Sequence, residues 1–399
     1  MTTQKAAKAA GDLDPSFGDA GKVVFTLAQG GFLGTSKLLS DEKILSAGVN
    51  VDDVVLVRHL SNGDLDDSFG DHGITRLNIF PGVRLGKNVL TVQPNDQAFI
   101  FGHVGEEFEI LYILKILPDG KLDTTFGKEG RVIIDLPVGE DVARLLAIQP
   151  DGKIVLVARV VRGYENYDEV LLRLDSKGEL DPTFGETGMV FVGKVYFSSL
   201  IILPDGRLLF AGAKNGALLF ARYLNDGRPD RSFGEEGVVT IEVKNSQYAE
   251  ISAAELQRDG KIVAVGSADI DSKGFHTLTT RINPDGSLDE TFNHGALAVI
   301  SFQGYEAQHH AVAIQPDNKI IAAGASLGTE KTANFTLMRF LPNGALDLEF
   351  GLHGRVMTDL GGLDLAMRIS LQADAKIVVS GWVMTSLQGT GIGIARYFG

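Results

Sequence analysis

Short apolar runs rich in β-branched residues recur along the whole chain, each cut off by a cluster of Gly, Pro, Asp or Asn. One stretch displays the unit. Val142 to Ile148 is apolar, Gln149-Pro150-Asp151-Gly152 is a tight-turn sequence, and Lys153 to Val161 is apolar again, so a hairpin is expected. After a polar loop, Glu169 to Leu174 predicts a third strand. The turn Leu180-Asp181-Pro182-Thr183-Phe184-Gly185 follows, and Met189 to Val192 predicts a fourth. These runs are apolar almost continuously instead of at alternate positions, which implies sheets covered on both faces.

The Phe of that turn sets the period. It returns at Phe17, Phe69, Phe126, Phe184, Phe233, Phe292 and Phe350, at spacings of 52, 57, 58, 49, 59 and 58 residues. A repeat of this length over an entire chain means one supersecondary unit stacked on its own copies. Four antiparallel strands per unit is the blade of a β-propeller. The expected fold is therefore all-β, a seven-bladed β-propeller, with the hairpin strands innermost and the strand after the Phe-Gly turn outermost. A β-sandwich would show more alternation, and a β-helix would have shorter coils. One domain is expected over residues 11–399, behind a flexible tail of residues 1–10.

Charges repeat with the same period. Arg58, Lys115, Arg173, Arg222, Arg281 and Arg339 each have an Asp eight residues downstream, namely Asp66, Asp123, Asp181, Asp230, Asp289 and Asp347. An ion pair closing the turn is the natural reading, with the Arg fork free to bind turn carbonyls as well. The Phe would plug the space between blades, and the Gly after it would take a positive φ. Arg396 has no Asp eight residues ahead, and Asp14 has no cation eight residues behind. These two halves are expected to pair, so that the last blade takes three strands from residues 365 to 397 and its outer strand from Lys22 to Thr26.

In these features the chain resembles the delta-60 repeat family of bacterial proteins. The matching segments are Gln149 to Ile154, Ala211-Gly212, Phe220-Ala221-Arg222-Tyr223 and Leu180 to Gly185, and copies of them cover nearly the whole chain. Departures occur at Pro229, where the pattern has Leu, at Asn293, where it has Gly, and in the shortened turn Phe292-Asn293-His294-Gly295. The resemblance implies a propeller-like repeat and brings no established chemistry.

Composition narrows the functional classes. A net charge of -14 and a pI near 5.0 oppose binding to a phosphate backbone, so no nucleic-acid role is expected. The chain has no run of 18 apolar residues, and its first ten residues lack the apolar stretch of a signal peptide. No membrane span is expected. A cytoplasmic monomer is the default expectation, with secretion by a signal-less route left open. The absence of cysteine excludes disulfides, thiolate nucleophiles and Cys-ligated metals. Neither a phosphate loop nor a nucleophile elbow is present.

In a propeller with this strand order, the Pro-Asp-Gly hairpins and the Phe-Gly turns share one face. The loops between second and third strands, and the links to the next inner strand, share the other. Those segments differ from repeat to repeat, so ligand contacts are expected there. Arg144, His309, His310 and Arg368 interrupt or flank apolar inner strands, while Asp141, Glu250, Glu306 and Asp364 lie just before such strands. Carboxylates around a funnel could hold calcium or act as general acid and base. The plainer reading makes them strand caps paired with neighbouring bases, with no cofactor. His309 and His310 are adjacent in a strand and should face opposite ways. The loop Tyr164-Glu165-Asn166-Tyr167-Asp168, with Tyr248, Tyr305 and Trp382, offers groups that protein or carbohydrate partners favour.

Arg144, Tyr248, Glu250, His310, Asp364 and Trp382 form the candidate ligand set, with no catalytic or metal-binding residue assigned. The leading functional expectation is a non-enzymatic binding or protein-interaction platform. The alternatives are a funnel-site metal-assisted hydrolase or lactonase and a lectin-like carbohydrate binder.

Overall fold

The computed structural model describes residues 9–399 apart from 28–33, 87, 106–109, 137–138, 164–165, 303, 329–331 and 386–388. An initial strand β1 (Lys22–Phe25) precedes a first set made of β2 (Thr35–Leu38), β3 (Ile44–Asn50), β4 (Asp53–His59) and β5 (Ile74–Leu77). The next set is β6 (Val89–Val92), β7 (Ala98–Val104), β8 (Ile110–Ile116) and β9 (Arg131–Ile134). Then come β10 (Glu140–Ile148), β11 (Ile154–Val161), β12 (Tyr167–Leu174) and β13 (Met189–Gly193). They are followed by β14 (Tyr196–Ile202), β15 (Leu208–Lys214), β16 (Ala217–Tyr223) and β17 (Val238–Ile241). β18 (Ser246–Leu256), β19 (Ile262–Ile270), β20 (Phe275–Ile282) and β21 (Ala298–Ile300) make another set. β22 (Glu306–Ile314), β23 (Ile320–Leu327), β24 (Ala333–Phe340) and β25 (Arg355–Thr358) repeat the pattern, and β26 (Leu363–Leu371), β27 (Ile377–Thr385) and β28 (Gly389–Tyr397) end the chain.

The sets from β2 to β21 are five separate four-stranded sheets. The remaining strands form an eight-stranded sheet in which a single parallel bridge, Ala333 with Leu363, joins β22 to β25 with β26, β27, β28 and β1. β1 pairs antiparallel with β28, placing Lys22 opposite Ala395 and Phe25 opposite Ile392. The first strands β2, β6, β10, β14, β18, β22 and β26 touch in succession, and β26 touches β2, so the innermost strands close a circuit. Among the described residues the helical content is one 3-10 turn at Asn293–Gly295.

Middle strands such as β7 and β16 are buried at every position, whereas outer strands such as β5 and β17 are only partly buried. This is why they read as unbroken apolar runs. Side chains of one sheet interlock with those of the next, as where Phe101 and Ile113 meet Ile154 and Leu172. Each such side chain contributes about 1.5–3 kcal/mol on burial.

Inner strands carry a second regularity. β10, β14, β18, β22 and β26 each shift register by one residue, at Arg144, Ser198, Ser252, His310 and Met367. These are β-bulges, which bend a strand and re-aim its side chains. Close approach across the bulge accounts for the Ala-Gly element of the repeat. A Cβ on Gly324, opposite His309, would lie 1.8 Å from the Gln308 carbonyl oxygen.

The turns bind sheet to sheet. Arg58 Nε lies 2.7 Å from Asp66 Oδ2, and the corresponding separations are 2.8 Å for Arg173–Asp181, 2.7 Å for Arg222–Asp230, 2.6 Å for Arg281–Asp289 and 2.9 Å for Arg339–Asp347. Lys115 Nζ reaches Asp123 Oδ2 at 3.0 Å. Arg396 Nε lies 3.0 Å from Asp14 Oδ2. The guanidinium groups also cover the turn phenylalanines, at 4.3 Å for Arg58 over Phe69 and 4.8 Å for Arg396 over Phe17. They then reach onward, Arg58 Nη1 donating to the Pro118 carbonyl at 2.8 Å and Arg281 Nη1 to the Pro342 carbonyl at 2.7 Å.

A second cation, from the start of the second strand, joins most of these aspartates: Lys43, Lys153, Arg207, Lys261, Lys319 and Lys376. Gly185 has φ +57° and donates its N–H to the Asp226 carbonyl of the next sheet. Asn293 fills the equivalent position at φ +46° and donates to Asn343, so the departure from Gly preserves the contact.

Asp14→Asn leaves Arg396 and Lys376 facing each other without their shared counter-charge, and this should cost about 3 kcal/mol or more. Urea unfolding of that variant against Asp19→Asn, an exposed control, measures it. A cost equal to the control's would show that the closing pair holds nothing together.

Candidate functional site

Glu169 on β12 is fully buried and pairs with two arginines. Arg159 on β11 donates to Glu169 Oε1 from Nε at 3.1 Å and from Nη2 at 2.6 Å, and Arg144 Nε stands 3.9 Å away. The neighbouring strand β11 and the bulge of β10 converge on this carboxyl. Burial pushes its pKa upward, and the two arginines oppose that push. The Arg159 guanidinium lies 4.1 Å over the Tyr167 ring and 5.1 Å over Tyr196, and Arg144 lies 4.2 Å over Tyr196. Such cation–π stacking fixes long side chains that would otherwise roam.

Tyr248 and Glu250 are two apart on β18 and therefore share a face. The Tyr248 hydroxyl donates to Glu250 Oε2 at 2.6 Å, and its ring meets Phe275 edge-on at 5.9 Å. Burial first, then Glu250, push the phenol pKa well above its ordinary value. Tyr196 and Tyr167 also act on it electrostatically, which places these tyrosines on one patch. Tyr248 remains 44% exposed. The patch is an ordered tray of Tyr and Arg, able to stack on a planar or apolar group and to donate hydrogen bonds around it.

Other sequence candidates lie elsewhere. Asp364 is fully buried, and its Oδ2 accepts the Leu360 N–H at 2.6 Å, which closes the link into β26. Asp141 does the same for Leu136 at 2.9 Å, and burial pushes both carboxyls up to about 6. The Trp382 indole N–H donates to the Gly34 carbonyl at 3.0 Å and ties β27 to the segment before β2. Glu306 lies against the backbone N–H of Phe275. The four carboxylates expected around a funnel thus have separate partners, and among the described residues no three His, Asp or Glu side chains gather. Tyr164 and Glu165 lie outside the described residues. Tyr305 is exposed.

His309 and His310 do part company. His309 is fully buried, and neither ring nitrogen has a hydrogen-bond partner. His310, the bulge residue, lines a central cavity of about 240 Å³ together with Lys37, Glu255 and Arg368. Arg144 belongs to the Tyr–Arg tray instead, so these two members of the expected set serve different clusters.

Lys37 and Glu255 were not among the sequence candidates. Their signal was available: each stands two positions before the residue that opens the hairpin turn, Leu39 or Gln257, where other repeats carry Thr91, Ala147, Ile201, Ala313 or Ser370. Arg159 and Tyr196 were also missed, since an Arg in a second strand reads as rim decoration until Glu169 is placed beside it.

Four stretches, 149–184, 203–233, 257–292 and 315–350, match the model of a domain of unknown function (DUF5122) described as a beta-propeller. No curated protein matches the chain. Among solved structures, virginiamycin B lyase from Staphylococcus aureus aligns at 11% identity over 94% of this chain and 98% of its own, with a TM-score of 0.53. Prolyl oligopeptidase B from Galerina marginata aligns at 12% identity over 93% of this chain and 49% of its own, with a TM-score of 0.51. At such identities the likeness concerns the fold alone. The chain is a β-propeller built from a propeller-like repeat. No helix among the described residues is long and apolar enough to cross a membrane.

The buried imidazole has a pH signature. Burial first, then His310, lower the His309 pKa from 6.5 to about 3. Its neutral form is the folded form, so its contribution is complete above pH 6.5 and is lost as pH falls towards 3. Relative to its own value at pH 7, His309→Leu should gain on the order of 2 kcal/mol over wild type by pH 4.5. Urea unfolding of both proteins across that range tests this, and parallel pH profiles would refute it.

Proposed function

We propose that this chain is a seven-bladed propeller of the delta-60 repeat kind, one domain over residues 11–399, that works as a non-enzymatic platform for a protein partner. Seven Phe-centred turns and a closed circuit of inner strands support the blade count. The repeated Ala-Gly at the bulge and the Lys after Pro-Asp-Gly support the kinship, because both have structural work in every blade where they occur.

The observation that carries the binding reading is the Tyr–Arg tray on the variable-loop face. Tyr and Arg are the side chains that most often dominate protein interfaces, since they cover area with few rotatable bonds and still offer donors. Arg144, Arg159 and Tyr196 are held in place by Glu169 and by one another before any partner arrives, which lowers the ordering cost of binding. Tyr248 stands exposed beside them with its hydroxyl already committed to Glu250, leaving its ring as the contact surface. The carboxylates of this face are taken up by turns and by this tyrosine, an arrangement suited to recognition more than to acid–base turnover.

Peptide and glycan libraries screened on immobilised protein should yield a peptide or protein ligand. Its affinity should fall about tenfold or more in Arg144→Ala/Tyr248→Ala. The melting temperature should change little, because Glu169 keeps Arg159. Unchanged affinity in the double variant would place the binding face elsewhere, a glycan hit lost in that variant would favour the lectin reading, and turnover of a bound ligand would overturn the non-enzymatic one.

A further inference from the structure

The central cavity carries a cation that the protein itself does not neutralise. Arg368 enters it from β26, next to the bulge at Met367, and is enclosed by inner strands on every side. Its one hydrogen bond runs from Nη1 to the Met367 carbonyl at 2.7 Å, and no carboxylate of the described residues lies within ion-pair distance. A guanidinium cannot shed its charge by losing a proton. Arg368 is partly buried and faces this space without a counter-charge of its own.

Lys37, from β2, faces the same space, and its ammonium makes no hydrogen bond or ion pair with any described residue. Burial, then Arg368, hold its pKa at about 8, so it is still largely protonated at neutral pH. Glu255, from β18, supplies the only carboxylate among the lining residues, within electrostatic reach of Lys37. Burial, then Arg368, bring His310 down to about 4, so its ring is neutral and available as a donor or acceptor. Two cations against one anion leave a surplus positive charge in a space of about 240 Å³. That volume equals the liquid share of about eight waters, enough for a small organic acid or a phosphate.

Access is provided from the hairpin-turn face. Glu255 also lines a recess of about 510 Å³ there, framed by Gln257, Gln315 and Gln372.

We propose that the central cavity is a binding site for a small oxyanion, a carboxylate or a phosphate, gripped by the Arg368 guanidinium and the Lys37 ammonium, with His310 as a further polar contact and Glu255 selecting against multiply charged ligands. Arg and Lys from two adjoining inner strands can clamp two oxygens of one group, and Arg does so bidentately. The surplus of a single positive charge matches a monoanion. The site is independent of the Tyr–Arg tray, since none of its residues belongs to both.

The test titrates the full chain with sodium phosphate, acetate, succinate and citrate against sodium chloride at matched ionic strength, by calorimetry and by melting temperature. One of the oxyanions should bind at a single site and raise the melting temperature above the chloride control. Phosphate alone doing so assigns phosphate, and a carboxylate alone doing so assigns an organic acid. Arg368→Met and Lys37→Met should each weaken that binding about tenfold or more. Without anion, Arg368→Met should melt close to wild type, because the removal of an unpaired charge offsets the loss of one hydrogen bond to the Met367 carbonyl. Glu255→Gln should tighten binding about tenfold by removing the opposing charge, which keeps the proposal open to refutation even where an Arg368 variant folds poorly. Tyr248→Ala should leave the anion response unchanged. The proposal is overturned by oxyanion responses no larger than chloride's, or by an Arg368→Met or Glu255→Gln protein that binds as wild type does.

Discussion

Everything in this fold hangs on a carboxylate held in three directions at once. In each turn, one oxygen of the Asp meets the cation at the end of the third strand, while the other accepts hydrogen bonds from two residues further on, as Asp181 does from the Thr183 N–H and hydroxyl. Where the cation is Arg58, Arg173, Arg222, Arg281 or Arg396, it then extends to a carbonyl of the next sheet and covers the turn Phe. Burial alone would raise such a carboxyl. For Asp14 and Asp66 the Ser16 or Ser68 hydrogen bonds and the paired Arg outweigh it and bring the pKa to about 2. A buried ion pair is weak evidence for net stability, because its desolvation offsets much of its attraction. Its larger effect here is on register. Each clamp specifies where the next sheet must sit, and a sliding sheet would strand a buried charge.

Such a scaffold divides the labour between its faces. The turn face is occupied with itself: its clamp aspartates are held by cations and by neighbouring N–H and hydroxyl groups. The inner-strand bulges and the variable-loop face have no such repeating duty. There the chain places unlike residues at like positions, Arg144, Ser198, Ser252, His310 and Met367 at the bulge, and there both candidate clusters form. The same geometric irregularity delivers a tray of aromatic and cationic groups at the mouth and a charged cavity at the axis.

Much of this was legible in the residues. Phe-Gly spacing revealed the unit, unbroken apolar runs revealed sheets covered on both sides, and the mismatch of Arg396 with Asp14 pointed to the segments that meet. These signals are strong because each is repeated, so sterics and charge state the same rule many times over. The candidate site was less legible. Asp364 and Trp382 look free in sequence, but each bonds a backbone group of a neighbouring connection, because a buried N–H or carbonyl competes for any nearby polar side chain. Lys37 and Glu255 gain meaning only when inner strands from distant repeats are brought around one axis. The bulge itself, which decides whether a side chain faces the sheet or the cavity, leaves no mark beyond a glycine or alanine in the partner strand.

The central claim is that clamped turns make every sheet, including the one completed by β1, an equal part of one closed ring. Native-state hydrogen exchange on the intact protein tests this most directly. Amides of β1 and β28 should be protected to the same degree as those of interior pairs such as β12 and β13, and should open with them. Early, independent exchange of β1 and β28 would contradict the account, because it would mean that the ring closes by chain proximity and not by the charge clamp.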